Sequence, residues 1–331
     1  MKTTNFSAET AAQPMALPGS GIAPVQKGPR PRYTGFLIYL ALATVAFSLP
    51  LFLLARYAAG NDLDSYILLV PFISTYLAFL RHKKLSPGNE PATGWASAAA
   101  AVGATALAAN WYWGGTLDQN DSLSLVTLAY VCALAAGGFL FAGYQWMAGA
   151  AFPFGFLLFM VPLPDMAVGW LETASRLASI QVAAVFFDVT GVPALHDGAV
   201  FQLPDISIRV GQECSGIHSS WILIMASLLA SHMVLRTPWR RALLVAFAIP
   251  LGVVRNGFRI LTLGWLCIHI GPQMIDSPIH HQGGPIFFLV SLAPFFLLLW
   301  ILCRGERKRH AGKVPDPLIP GTIRASRLQP D

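Results

Sequence analysis

Charge is what this sequence has least of. Only 11% of its 331 residues are charged, against about 25% in an ordinary soluble domain. That shortage excludes a water-exposed globular chain. With 55% hydrophobic residues and a mean hydropathy of +0.56, the composition is that of a membrane protein. Cysteine is also scarce. Cys132, Cys214, Cys267 and Cys303 show no CxxC spacing, so neither a disulfide framework nor a zinc site is expected. Three of the four lie inside apolar runs and read as small buried hydrophobes. The first 33 residues are polar and Pro-rich and lack an apolar core segment, so no cleaved signal peptide is expected. No internal repeat is visible. A net charge of +6 would suit a nucleic-acid partner, but the basic residues flank apolar runs, which is the pattern of membrane topology instead.

A spanning helix needs about 20 mostly apolar residues. Eight stretches qualify or come close: residues 35–55, 63–80, 94–109, 122–143, 147–161, 215–234, 242–268 and 285–303. The expected fold is an all-α polytopic membrane protein of about eight transmembrane helices. A ninth stretch, 166–187, carries Glu172, Arg176 and Gln181 and reads as an amphipathic helix along the surface. Between it and Cys214, Val200 and Gln202, then Ile206 to Val210, approximate period-two alternation around a Pro204-Asp205 turn. These residues predict a small β-hairpin on the outer face. The chain then divides into a disordered cytoplasmic tail (1–33), a membrane domain (34–303) and a basic, Pro-rich cytoplasmic tail (304–331).

Basic flanks set the orientation. Lys27, Arg30 and Arg32 precede the first span, Arg81–Lys84 follow the second, Arg236, Arg240 and Arg241 follow the sixth, and Arg304–Arg309 follow the eighth. All four groups face the cytoplasm at once if eight segments cross and 166–187 does not. Both termini are then inside, and Cys214 and the loop 269–284 are outside. Arg259 stands about 17 residues into the seventh span, roughly 25 Å across a layer of roughly 30 Å. A thiol, a guanidinium and two imidazoles from three separate segments are thereby expected at one membrane face.

Their chemistry suits acyl transfer. Cys214 is read at, or one residue before, a helix start, with Ser215 as N-cap and Glu213 just upstream. Such positions bring a thiol from about 8.5 down to about 3.5–7.5 and make it a nucleophile; equally, a helix must begin somewhere and Cys is a common small residue. Arg259 within an apolar span costs about 2.5–3.5 kcal/mol to insert. It either snorkels to the interface or, with Asn256 three residues before it on the same face, donates to an oxyanion or substrate carboxylate. Arg255 is set on a different face. His280 and His281 are either solvated loop residues or an acid–base pair of candidates. His218, four residues after Cys214, competes for that role. No cofactor or metal ion is expected, because the histidines lack supporting ligands in a recognisable spacing.

Several blocks in order resemble the exosortase/archaeosortase family of membrane-embedded cysteine transpeptidases: DSYILLVPFISTYLAFLRHKK from Asp64, FPFGFLLFMVPLP from Phe152, GVPALHDGAVFQLPDISIRVGQECSGI from Gly191, NGFRI from Asn256 and HHQGGPIFF from His280. The resemblance implies a catalytic Cys214, Arg259 and His280. His280 is preferred over His281 because it stands four residues before Gly284. It further implies a bacterial inner-membrane enzyme, multi-pass, with its active site on the periplasmic face. It implies as partners exported proteins bearing a short PEP-CTERM-like sorting motif, a transmembrane helix and a basic tail, and a link to exopolysaccharide production. A transporter or channel, or a non-catalytic scaffold of polysaccharide export, is the alternative; neither needs Cys214.

Overall fold

A computed structural model describes residues 30–61, 64–81, 90–203, 207–211, 216–271, 273–274 and 284–311. The chain is helical in every apolar stretch read from the sequence. Helices α1 (Arg30–Ala46) and α2 (Ser48–Gly60) form a pair bent by 65°. A 3₁₀ turn, Ser65–Leu69, leads into α3 (Val70–Arg81), and α4 (Thr93–Trp113) and α5 (Gln119–Gly137) follow. A π turn joins α5 to α6 (Gly143–Gly149), so that Gln119–Gly149 runs as one 31-residue element. Next come α7 (Ala151–Phe156), α8 (Asp165–Thr190), α9 (Ile217–Val234), α10 (Pro238–His269) and α11 (Gly284–Ala311). By length and composition four helices can cross a membrane, and six if each bent pair is one span. The protein is an all-α polytopic membrane protein.

Helix contacts use small residues, as expected where lipid removes the hydrophobic incentive for association. Gly103 of α4 lies against Ala129 and Cys132 of α5; a Cβ there would sit 3.2 Å from the Cys132 Cβ. Leu223, Leu244, Leu251, Phe295 and Leu302 bind α9, α10 and α11 into a second packed unit.

The two ends of the bundle differ in chemistry. One collects Arg81, His232, Arg236, Arg240 and Arg241; here Glu306 of α11 accepts the backbone N–H groups of Arg236 and Thr237 at the start of α10. The other collects Asn61, Asp64, Asn120, Asp121, Asp165 and His218. There the Pro162–Pro164 turn is fastened to α5. Ser124 Oγ donates to Pro162 O at 2.8 Å, and Asn120 Nδ2 donates to Leu163 O and Asp165 Oδ1, each at 2.7 Å.

At that turn the chain bends by 91° from α7 into α8. Two prolines in three residues explain it: neither can continue a helix, and each pushes its predecessor towards extended backbone. Helix α8 ends at Gly191, in the left-handed region at φ +71°, with Val192 N donating to Phe187 O. The hairpin expected from alternation is present as β2 (Val200–Gln202) and β3 (Ser207–Arg209). A further strand, β1 (Leu195–Asp197), makes a three-stranded antiparallel meander, with Phe201 opposite Ile208. At 32 residues, α10 is about 48 Å long, longer than a hydrocarbon layer of about 30 Å. Its far end packs Ile260, Leu263 and Cys267 against Ile180 and Phe187 of α8 and Phe201 and Ile208 of the sheet. Glycines permit the approach: a Cβ on Gly257 would lie 2.7 Å from Val182 Cγ1 and 3.2 Å from Ala183 N. Gly257→Val should therefore destabilise this cap by about 1–3 kcal/mol, measured as a lower unfolding temperature in detergent, while Gly94→Val, where a Cβ meets nothing within 4 Å, should change it little.

Candidate active site at the polar end

Helix α9 begins at Ile217, with Gly216 as its N-cap residue at φ +64°. This corrects the expected start at 215 with a Ser215 cap: a left-handed glycine turns the chain into the helix. Cys214 therefore precedes the first helical residue by three positions, and the one-turn helical spacing inferred between it and His218 does not apply. Cys214, Glu213, His280 and His281 lie outside the described residues.

The first described residue after Cys214 is Gly216. The Gly216 carbonyl accepts Ser220 N at 3.1 Å, Ser220 Oγ at 2.9 Å, Ser219 Oγ at 3.3 Å and Arg255 Nη2 at 3.1 Å. Arg255 Nη2 also donates to Ser220 Oγ at 3.1 Å. Asn256, 2% exposed, presses on Gly216 from α10; a Cβ at 216 would stand 2.8 Å from its Oδ1. Below it, Gly252 admits Ser220, whose Oγ would be 2.5 Å from a Cβ at 252. The start of α9 and the Arg255–Asn256 pair are one packed unit.

Arg255 needs a second correction. It stands four residues before Arg259, within about 40° on the helical wheel, so the two guanidiniums share a face. Arg255 is 6% exposed, and its Nη1 is buried without a hydrogen-bond partner among the described residues. Its charged neighbour is Arg259, which is half-buried and has partners of its own. Two guanidiniums therefore share one face near the middle of α10, at the level of Gly216. Arg255 is the functional candidate that sequence reading passed over; the signal was a second arginine one turn from the first.

His218 joins a different group. It is half-buried on α9, about 200° around the helix from Ser220, and its charge acts on Asp64. Asp64 also feels Asp165 and accepts Asn61 Nδ2 at 3.0 Å. Asp64 and Asp165 were each legible only as single acids flanking apolar runs. Asn256, read from the sequence as sharing a face with Arg259, packs against the start of α9. Cys132, Cys267 and Cys303 sit in apolar packing. Among the described residues no three His, Cys, Asp or Glu side chains converge as a metal-ligand set.

The description of the transmembrane exosortase family matches residues 57–297 of the chain, from the end of α2 to the middle of α11. No curated protein and no solved structure matches it.

Proposed function

From the premise that this chain belongs to the transmembrane exosortase family, we propose that it is a cysteine transpeptidase that trims the C-terminal sorting signal of exported proteins and passes them to an acceptor. The observation that carries this reading is the fastening of Gly216, two residues after Cys214, onto Arg255 and Asn256, one turn before Arg259. Two residues of chain reach about 7 Å at most, so whatever fixes Gly216 restricts the thiol.

The steps follow from acyl-transfer chemistry. The Cys214 thiolate is favoured by the potential of two nearby guanidiniums. It attacks the scissile peptide carbonyl, forming a C–S bond. Arg259 donates to the oxyanion of the tetrahedral intermediate. His280 gives its proton to the leaving amine, the C–N bond breaks, and a thioester to Cys214 remains. An acceptor nucleophile, deprotonated by the same imidazole, then displaces the thiol.

The polar end of the bundle faces the periplasm in this reading, with the arginine-rich end and both termini in the cytoplasm of a bacterial inner membrane. A scissile bond can meet Cys214 only if it is held at that depth. A spanning helix just C-terminal to the bond, anchored by a basic tail in the cytoplasm, does this, and the orientation it gives lowers the barrier. A model exported protein with the full PEP-CTERM-like tail should be cleaved. Versions lacking the helix, or with the motif moved outward by about ten extended residues, roughly 33–36 Å, should not. Mass spectrometry of the mature C-terminus reads the outcome, and efficient cleavage of either altered version contradicts the depth requirement. In intact spheroplasts a membrane-impermeant thiol reagent should label Cys214. Labelling that waits for permeabilisation would reverse the orientation.

A further inference from the structure

The arginine-rich end carries a cluster that the catalytic reading does not use. Arg81 closes α3, His232 lies in the last turn of α9, and Arg241 lies in the first turns of α10. Arg241 Nη1 is 3.3 Å from His232 Nδ1, and Arg81 Nη2 meets His232 Nε2. Both guanidiniums are held by backbone: Arg81 Nη1 donates to Gly149 O at 3.2 Å, and Arg241 Nε to Leu235 O at 2.8 Å. Phe152 stacks on the imidazole and lies 6.0 Å beneath the Arg81 guanidinium.

This arrangement is incomplete. A guanidinium only donates, and a neutral imidazole accepts at one nitrogen alone. One of the two contacts therefore sets donor against donor. Among the described residues the charges acting on His232 are those of Arg81 and Arg241, and that acting on Arg81 is Arg241. Glu306 is engaged by Arg236 N, Thr237 N and Thr237 Oγ1. An anion with several lone pairs would satisfy all three groups, and a phosphate suits the planar fork of arginine.

An apolar groove of about 950 Å³ begins beside the cluster, at the upper end of the roughly 300–1,000 Å³ usual for ligand sites. Ala78 lines it one turn before Arg81, and Pro153 lines it next to Phe152. Along α3 and the preceding turn its wall runs from Phe79 back to Ile67, a rise of about 18 Å, close to the roughly 15 Å depth of one hydrocarbon leaflet.

We propose that the cluster and groove bind one anionic phospholipid, with its phosphate among Arg81, His232 and Arg241 and an acyl chain along the groove. Charge selects an anionic headgroup, and the apolar wall selects a lipid over free phosphate. The site lies at the opposite end of the bundle from Gly216 and does not depend on the catalytic assignment.

The full-length protein in mild detergent is titrated with dioleoyl phosphatidylglycerol, with dioleoyl phosphatidylcholine and with inorganic phosphate. Thermal unfolding and native mass spectrometry are read. Phosphatidylglycerol should raise the unfolding temperature and be retained as one molecule, whereas the other two should do neither. Removing one arginine near an anionic headgroup costs about fivefold in affinity and removing two about 25-fold, so Arg81→Gln with Arg241→Gln should shed the lipid. Arg304→Gln, exposed at the same end, should keep it. The proposal is overturned if phosphatidylcholine stabilises the wild-type protein equally, if inorganic phosphate alone reproduces the effect, or if the double variant retains phosphatidylglycerol as the wild type does. The wild-type comparison stands even if the double variant fails to fold.

Discussion

Cys214→Ala should abolish maturation of a tailed substrate while leaving the protein in the membrane at normal abundance. Cys132→Ala, Cys267→Ala and Cys303→Ala should mature it normally. The contrast follows from environment: Cys132 packs between α4 and α5, Cys267 lies in the cap core, and Cys303 lies among α9, α10 and α11, whereas Cys214 leads into the Gly216 turn. Loss of a nucleophile costs about as much as loss of the whole constellation, so the expected fall is on the order of 10⁶-fold. His280→Ala should also stop maturation, with His281→Ala much milder. The reverse order would move the acid–base role by one residue, and full activity in both would return His218 to contention beside Asp64. A transporter or scaffold would be indifferent to Cys214.

The second large effect is expected from the two arginines of α10, and it separates their roles. Arg259→Lys should fail badly, because a point charge does not replace a fork of donors. Arg255→Gln should fail for another reason. It removes two hydrogen bonds from a buried charged group, to Gly216 O and Ser220 Oγ, each of about 1.5–3 kcal/mol. Loss of even one such interaction is a fall of roughly 10- to 150-fold in processing. Ser220→Ala should be milder, since Gly216 O keeps Ser220 N and Arg255. Pulse-labelled substrate followed by mass spectrometry gives these rates. Equal activity of Arg255→Gln and wild type would remove the Gly216 fastening from the mechanism.

The eight apolar stretches were legible because a bilayer demands long runs with little charge, and each is helical here. Their bends were harder to read. The 65° break at Phe47 lies inside one apolar run, where hydropathy is blind, although Pro50 just beyond it was a signal. The 91° elbow before α8 was announced by Pro162 and Pro164, but the helix's faces were not. Ser179, Ile180, Ala183 and Phe187 turn inward to α10, while Met166, Trp170, Val185 and Val189 stay exposed; only the partner helix decides that. Strand β1 reads Leu-His-Asp and shows no apolar–polar alternation, so no period pointed to it. The start of α9 was misplaced by two residues because Ser215 offered a side-chain cap, whereas the fold uses the left-handed freedom of Gly216. Arg255 was misassigned to another face even though a four-residue spacing returns to the same side. What the sequence made plainest, the order of the candidate residues along the chain, came from blocks that resemble a family and not from periodicity.

The most direct measurement is the mass of the covalent intermediate. The otherwise unaltered protein, incubated in membranes with a tailed substrate and quenched with acid during turnover, should carry the thioester that separates the two halves of the reaction. Peptide mapping should then find the trimmed substrate joined to the peptide containing Cys214 through a bond that hydroxylamine breaks; the adduct should vanish in Cys214→Ala and fall in His280→Ala, which lacks the acid for the leaving amine. Cleavage that persists in Cys214→Ala, or an adduct on any other residue, would contradict Cys214 as the nucleophile.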